Sequence, residues 1–106
     1  MISFEEFKKL EIVTAKIQKV DNHPNADKLY VLTVEVAGQA KTLVAGIKAY
    51  YSPEQLIGKN IVIANNLEHA QIRGVTSEGM LLAAQDENGI SVLSPDREMV
   101  SGSKVR

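Results

Sequence analysis

Hydrophobic and polar residues alternate most cleanly over Tyr30-Val31-Leu32-Thr33-Val34-Glu35-Val36-Ala37, with Leu32, Val34 and Val36 on one side and Thr33 and Glu35 on the other. A period of two predicts a strand with one buried face. Gly38-Gln39 supplies a tight turn, and Lys41-Thr42-Leu43-Val44-Ala45-Gly46-Ile47 returns as the next strand of a meander. Upstream, Ile12 to Val20 is rich in β-branched residues but changes phase, because Ile12 and Thr14 share one face and Ile17 takes the other. A bulge near Ala15 would reconcile them, and a long first strand that bends at a small residue suits a small closed barrel. Further on, Asn60 to Asn66 reads as a fourth strand. Gly79 to Ala84, followed by Ile90 to Leu93 across a Glu87-Asn88-Gly89 turn, reads as a fifth.

Two short helices punctuate this pattern. Ser3 and Glu6 form a capping box ahead of Phe4, Phe7 and Leu10. Ser52-Pro53-Glu54-Gln55-Leu56-Ile57-Gly58 has an N-cap, a first-turn proline, a capping-box glutamine and a C-cap glycine. Three meandering strands, a helix and two more strands is the order of the five-stranded OB-fold barrel. An SH3-like barrel fits the strand count, but the helix between strands three and four favours the OB-fold. The expected fold is therefore all-β with short helices: a helix over 1–10, a barrel over 11–93 and an extension over 94–106. Pro95, Val100, Gly102 and Val105 lie in that extension, and its apolar residues need cover from the barrel or from a second subunit.

Composition narrows the chemistry. The chain has 106 residues, 44% hydrophobic and 24% charged, enough for one domain with one core. Cysteine is absent, and His23 and His69 have no carboxylate partner at ligand spacing, so neither a disulfide framework nor a metal site is expected. No catalytic constellation, phosphate-cradling glycine loop or other cofactor motif is present, which points to a binding module. No apolar run is long enough to span a membrane, and the N-terminus lacks the features of a signal peptide, so the expected location is the cytoplasm. Met1 fits a free-standing chain, although a fragment can begin with Met as well. A net charge of -1 and a pI near 6.1 argue against coating nucleic acid by bulk charge. Any anion site must come from clustering in the fold.

The stretch His23-Pro24-Asn25-Ala26-Asp27-Lys28-Leu29 is a stiff polar loop between two strands. Turn chemistry alone accounts for Pro, Asn and Asp, but the loop could also hold the Asn25 amide and the Lys28 ammonium against a ligand. Ser77-Glu78-Gly79-Met80 offers a hydroxyl, a glycine and an adaptable apolar side chain, or simply a turn and a core methionine. Arg73-Gly74 supplies a guanidinium fork suited to phosphate, and Asn65-Asn66-Leu67 ends the fourth strand. Tyr50 and Tyr51 flank a helix, which leaves Tyr30 as the one aromatic near the barrel face. Nucleic acid is the commonest ligand of such barrels, and recognition by shape and backbone suits these residues better than base stacking.

Taken together, His23–Leu29, Val44-Ala45-Gly46-Ile47, Asn66-Leu67 and Ser77-Glu78-Gly79-Met80-Leu81-Leu82-Ala83-Ala84 resemble the tRNA-binding domain appended to methionyl-tRNA synthetases. That domain also occurs in the endothelial monocyte-activating polypeptide family and in free-standing structure-specific tRNA-binding proteins. The resemblance implies a homodimer that recognises the tRNA elbow by shape, alone or beside a methionyl-tRNA synthetase catalytic subunit. Asn25, Lys28, Ser77 and Met80 match the family's binding positions, while Arg73, Lys41 and His23 join them by charge or proximity. Dimers of the family join around and after the fifth strand. One departure stands out: relatives often carry arginine where this chain has Val13. A small dimeric export chaperone of the same fold, which binds unfolded polypeptide, and a pure synthetase dimerisation module are the competing readings.

Overall fold

The computed structural model describes residues 1–106. After a single turn of helix, α1 (Phe4–Phe7), capped by Ser3 and Glu6, come β1 (Ile12–Asn22), β2 (Tyr30–Val36) and β3 (Gln39–Ala45). The second helix, α2 (Pro53–Leu56), precedes β4 (Asn60–Ala64), β5 (Ala70–Ile72) and β6 (Val75–Ser77), and the chain continues through β7 (Met80–Leu81), β8 (Ala83–Asp86) and β9 (Gly89–Val92). Five strands form one antiparallel sheet in the order β3-β2-β1-β4-β7, curled into a half-barrel of the OB type. The other four form two separate hairpins, β5-β6 and β8-β9.

The alternation in β2 is realised in full, with Tyr30, Leu32, Val34 and Val36 all buried. It pairs with β3 in unbroken register from Tyr30↔Ala45 to Val36↔Gln39. The turn between them is Ala37-Gly38, one residue earlier than expected, with φ of 50° and 86°. Two consecutive left-handed residues give the turn whose twist matches a hairpin, and glycine takes one of them without strain.

In β1, Val13, Ala15 and Ile17 all face the core, so no bulge is needed at Ala15. The register shift falls between Ile17 and Lys19, leaving Gln18 as the extra residue, and Val20 then packs against the core in the new phase. The position follows from a change of partner. Lys16 is the residue where pairing with β4 ends and pairing with β2 begins, and the strand bends just beyond it. Helix α2 docks at the same bend, where Gly58 N–H donates to Ile17 O at 2.8 Å, and its Leu56 is fully buried in the core. Val13 also belongs to that core, so position 13 presents nothing to a ligand.

The expected fifth strand is divided. Only Met80 and Leu81 pair with β4, opposite Ala64 and Ile63. Beyond them Leu82 N–H still reaches Val62 O at 3.0 Å, but Ala83 to Asp86 leave the sheet as the exposed arm of the β8-β9 hairpin. The tail fills a gap elsewhere. Because β2 pairs only with the second half of β1, the first half has a free edge, and residues 102–105 lie along it. Gly102 N–H donates to Thr14 O at 2.8 Å, Thr14 N–H to Ser103 O at 2.9 Å and Val105 N–H to Ile12 O at 2.8 Å. Ser101 ties the tail to β2: its hydroxyl lies 2.7 Å from a Glu35 carboxylate oxygen and accepts the Ala37 N–H at 3.0 Å. No helix is long and apolar enough to cross a membrane.

Candidate nucleic-acid interface

The loop over 23–29 is locked to a hairpin that lies far away in sequence. β5 and β6 turn through Arg73-Gly74, both left-handed at φ 53° and 90°, and the tip lands on the loop. His23 joins the two elements and is only 5% exposed. Its Nδ1 accepts the Asn25 N–H at 2.9 Å, which fixes Nδ1 as the unprotonated nitrogen. Nε2 therefore carries the proton and donates to Ile72 O at 2.9 Å. Asn25 Nδ2 donates to Arg73 O at 3.1 Å, and Arg73 Nη2 returns a bond to Asn25 O at 3.1 Å. The outcome is a clasp in which His23 is the buried strut and Asn25, Lys28 and Arg73 remain exposed.

Asn25, Ala26, Asp27, Lys28, Leu29 and Arg73 line an open groove of about 410 Å³. The molecule's salt bridges are Lys8–Glu5 and Lys19–Asp21, so neither Lys28 nor Arg73 has a carboxylate partner, although Asp27 borders the same groove. Exposed, unpaired cations on a rigid frame are suited to phosphate.

Ser77 and Glu78 do different work. β3 is seven residues long while β7 has two, so the sheet cannot close by a backbone ladder alone. Side chains close it instead. Ser77 Oγ accepts the Val44 N–H at 3.0 Å and donates to Gly79 O at 2.9 Å. Glu78 N–H donates to Thr42 O at 2.8 Å, and its carboxylate accepts the Thr42 N–H at 2.8 Å, standing in for a strand carbonyl. Gly79 is required here, because a Cβ would lie 2.9 Å from Ala64 O. Ser77 is thus 3% exposed with its hydroxyl engaged on both sides, and a surface ligand cannot reach it. Met80 lies beyond the seam and is 49% exposed, so it is not a core methionine. Lys41 Nζ is held by Asn65, at 2.6 Å from Oδ1 and 3.1 Å from the backbone oxygen, both neutral acceptors that leave its charge uncompensated.

Residues 12–104 match the family model described as "Putative tRNA binding domain". The chain belongs to this tRNA-binding domain family. It is 52% identical over 105 residues to a methionine–tRNA ligase of Pyrococcus furiosus and 51% identical over 106 residues to that of Nanoarchaeum equitans. The match covers 99% and 100% of this chain but 14% of each ligase, so the domain spans about one-seventh of the curated relatives it matches. Among solved structures, a MetRS-related protein from Pyrococcus horikoshii superposes with a TM-score of 0.92 at 29% identity, covering 100% of this chain and 98% of that one. The chaperone CsaA of Bacillus anthracis superposes with a TM-score of 0.89 at 26% identity, covering 100% and 99%.

Within the tRNA-binding domain, sequence reasoning missed the partners that organise the site. Glu78 carried no role, although it closes the barrel. The amides expected to end β4 tie down the chain ahead of β1: Asn66 Oδ1 accepts the Glu11 N–H at 2.7 Å, and Asn65 Nδ2 donates to Glu11 Oε1 at 2.7 Å. The aromatics also exchange roles, since Tyr30 is buried and Tyr50 is exposed. The left-handed Arg73-Gly74 pair was the available signal for the hairpin, because glycine after a polar residue marks a tight turn.

Proposed function

We propose that this chain binds tRNA by shape and backbone, without selecting one sequence, and does so as a homodimer. The observation that carries the reading is the clasp, which ties Arg73 to the 23–29 loop through Asn25 and His23 and so brings Arg73 and Lys28, both without a carboxylate partner, to one groove. Phosphates bind there, with Lys41 and Met80 extending the contact along the rim. His23 and Ser77 act from inside by positioning these groups. Dimerisation is supported by apolar side chains left in solvent, Ile2 and Phe4 at the N-terminus and Met99 and Val100 in the extension. Chemistry belongs to another part of the assembly: the relatives named methionine–tRNA ligase are about seven times longer, and this chain serves such a ligase in the cytoplasm as an appended or separate tRNA-holding unit.

A second reading rests on the likeness to CsaA, which is called a chaperone, and holds that the chain binds unfolded polypeptide. One titration separates the two. Deacylated bulk tRNA and an unstructured RNA of equal length are titrated against the protein, with its mass in solution recorded. Tighter binding to tRNA by a dimer is expected. No tRNA binding at low salt, together with suppression of a client's aggregation at stoichiometric ratio, would establish the chaperone instead.

A further inference from the structure

An open groove of about 420 Å³ lies between Tyr50 and the β8-β9 hairpin, with Tyr51, Gln85, Asp86, Asn88 and Ser91 also on its walls. Tyr50 is 48% exposed, yet it is firmly seated. Its ring lies on Gly89, where a Cβ would come within 2.9 Å of Cε1, so only glycine lets the ring settle on the turn. The backbone beside it is pinned, because the N–H groups of Tyr50 and Tyr51 donate to Ile47 O at 3.0 and 3.1 Å. Tyr51 is held twice more: its hydroxyl accepts the Val92 N–H at 3.0 Å, and its carbonyl accepts the Tyr30 hydroxyl at 2.7 Å. An aromatic ring braced along its Cδ1–Cε1 edge by a glycine turn, with much of its surface in solvent, is a preformed stacking platform, and stacking a base on it orders little that is not ordered already.

The walls indicate what kind of group fits. No cation lines the groove, and Asp86 repels phosphate. One Asp86 oxygen accepts the Asn88 N–H at 2.8 Å, which leaves the other free for a donor from outside. The site therefore favours a flat ring with an N–H edge, and among the bases guanine offers two adjacent donors, one for the free Asp86 oxygen and one for the remaining lone pair of the oxygen that Asn88 holds. The groove also lies at the same end of the half-barrel as the clasp. Tyr30, which holds Tyr51, is the residue immediately after the 23–29 loop, and Leu29 packs beside Gly46, the first residue after β3 on the way to Tyr50.

We infer that the Tyr50 groove takes one unstacked guanine of the bound RNA, stacked on Tyr50 with its N–H edge on Asp86, while nearby phosphates rest on Lys28 and Arg73. The polymer rests on the tRNA reading, but the base site can be tested without it. A base that the folded RNA extrudes by its own shape adds affinity, and the groove reads only that one position, so the rest of the sequence goes unselected.

Backbone-amide NMR titrations with 5′-GMP, AMP, CMP and UMP test the site directly. GMP is expected to shift Tyr50, Asn88 and Gly89 at the lowest concentration; Tyr50→Phe keeps the effect, Tyr50→Leu abolishes it and Asp86→Asn removes the preference for GMP. No shift there with any nucleotide, or the same shifts in Tyr50→Leu, would overturn the inference. With tRNA, Tyr50→Leu should lose about five- to a hundredfold in affinity at an unchanged salt slope, since a stacking contact disappears and a phosphate contact does not. Unchanged tRNA affinity in a Tyr50→Leu protein that melts like the parent would equally overturn it. A parent that takes GMP in the groove but binds no tRNA would keep the base site and remove the tRNA reading.

Discussion

Asn25 and Lys28 stand three residues apart, as do Ser77 and Met80, but the fold uses the two pairs in opposite ways. In the first, a third residue, His23, is buried with both ring nitrogens engaged, while Asn25 stays exposed with one bond from its side chain to Arg73 O and Lys28 stays exposed with none. In the second, Ser77 is itself the anchor, engaged between Val44 and Gly79, and only Met80 reaches solvent. His23 and Ser77 are thus structural equivalents. The comparison teaches that a polar residue in a binding motif can serve recognition by holding the frame, and that burial with both hydrogen-bonding sides occupied marks which residues do so.

The largest effect that would sharpen this contrast is that of Ser77→Ala. It strands the Val44 N–H and the Gly79 carbonyl at a half-buried seam, where each orphaned group costs about 1 to 2 kcal/mol, the lower part of the range for buried groups. A drop of roughly 2 to 4 kcal/mol in denaturant-measured stability is expected, with a smaller loss of tRNA affinity, through the loosened Met80, than Lys28→Ala causes. A loss of affinity as large as that of Lys28→Ala with no loss of stability would make Ser77 a contact after all. Lys28→Ala should do the reverse, leaving the thermal melt in place while weakening tRNA binding and lowering its salt slope by about one unit.

Met80→Ala comes next. A buried methionine would cost about 2 to 5 kcal/mol, but this side chain is half in solvent, so stability should fall by clearly less while tRNA affinity declines. A melt shifted as far as a core deletion requires would return Met80 to the interior. The smallest effect concerns Ser101, a second serine spent on internal bonds. The Gly38 N–H, the Ser101 hydroxyl and the nearby Lys16 charge hold the Glu35 carboxyl below the usual carboxylate range. A carboxyl depressed on folding stabilises the fold above its unfolded value, and that contribution fades as pH falls through the folded one. Glu35→Gln should therefore show a weaker acid dependence of melting than the parent, and parallel profiles would remove the tail latch from the account.

Much of the frame was legible because it is written locally. The strict alternation of β2, its return as β3 and the N-terminal capping signals of α2 each lie within a few neighbouring residues, and all appear, with β3 starting earlier than read and Ile57 in place of Gly58 as the C-cap of α2. The β1 bulge was legible in kind but not in place, because it is set by the exchange of strand partners at Lys16, which no local pattern reveals. The fifth strand was divided for a related reason: Ala83 to Asp86 have strand character, but they pair with β9 in a hairpin of their own and leave residues 60–62 of β4 behind. In the candidate site, Asn25 and Lys28 could be singled out by their match to the polar positions of the family's loop motif. Their union with Arg73 could not, since it rests on side-chain bonds to backbone carbonyls 48 residues away, and such bonds leave no periodic trace. Tyr50 was hidden because exposure of an aromatic depends on what the opposite hairpin leaves uncovered.

The most direct test of the clasp as the RNA contact is the salt dependence of tRNA affinity for the parent and for the Lys28→Ala/Arg73→Ala double variant, with thermal melts alongside. If two phosphates rest on these cations, the slope of log Kobs against log salt becomes shallower by about two units in protein that melts normally. A normally folded double variant with the parent's slope and affinity would place the RNA elsewhere and contradict the account.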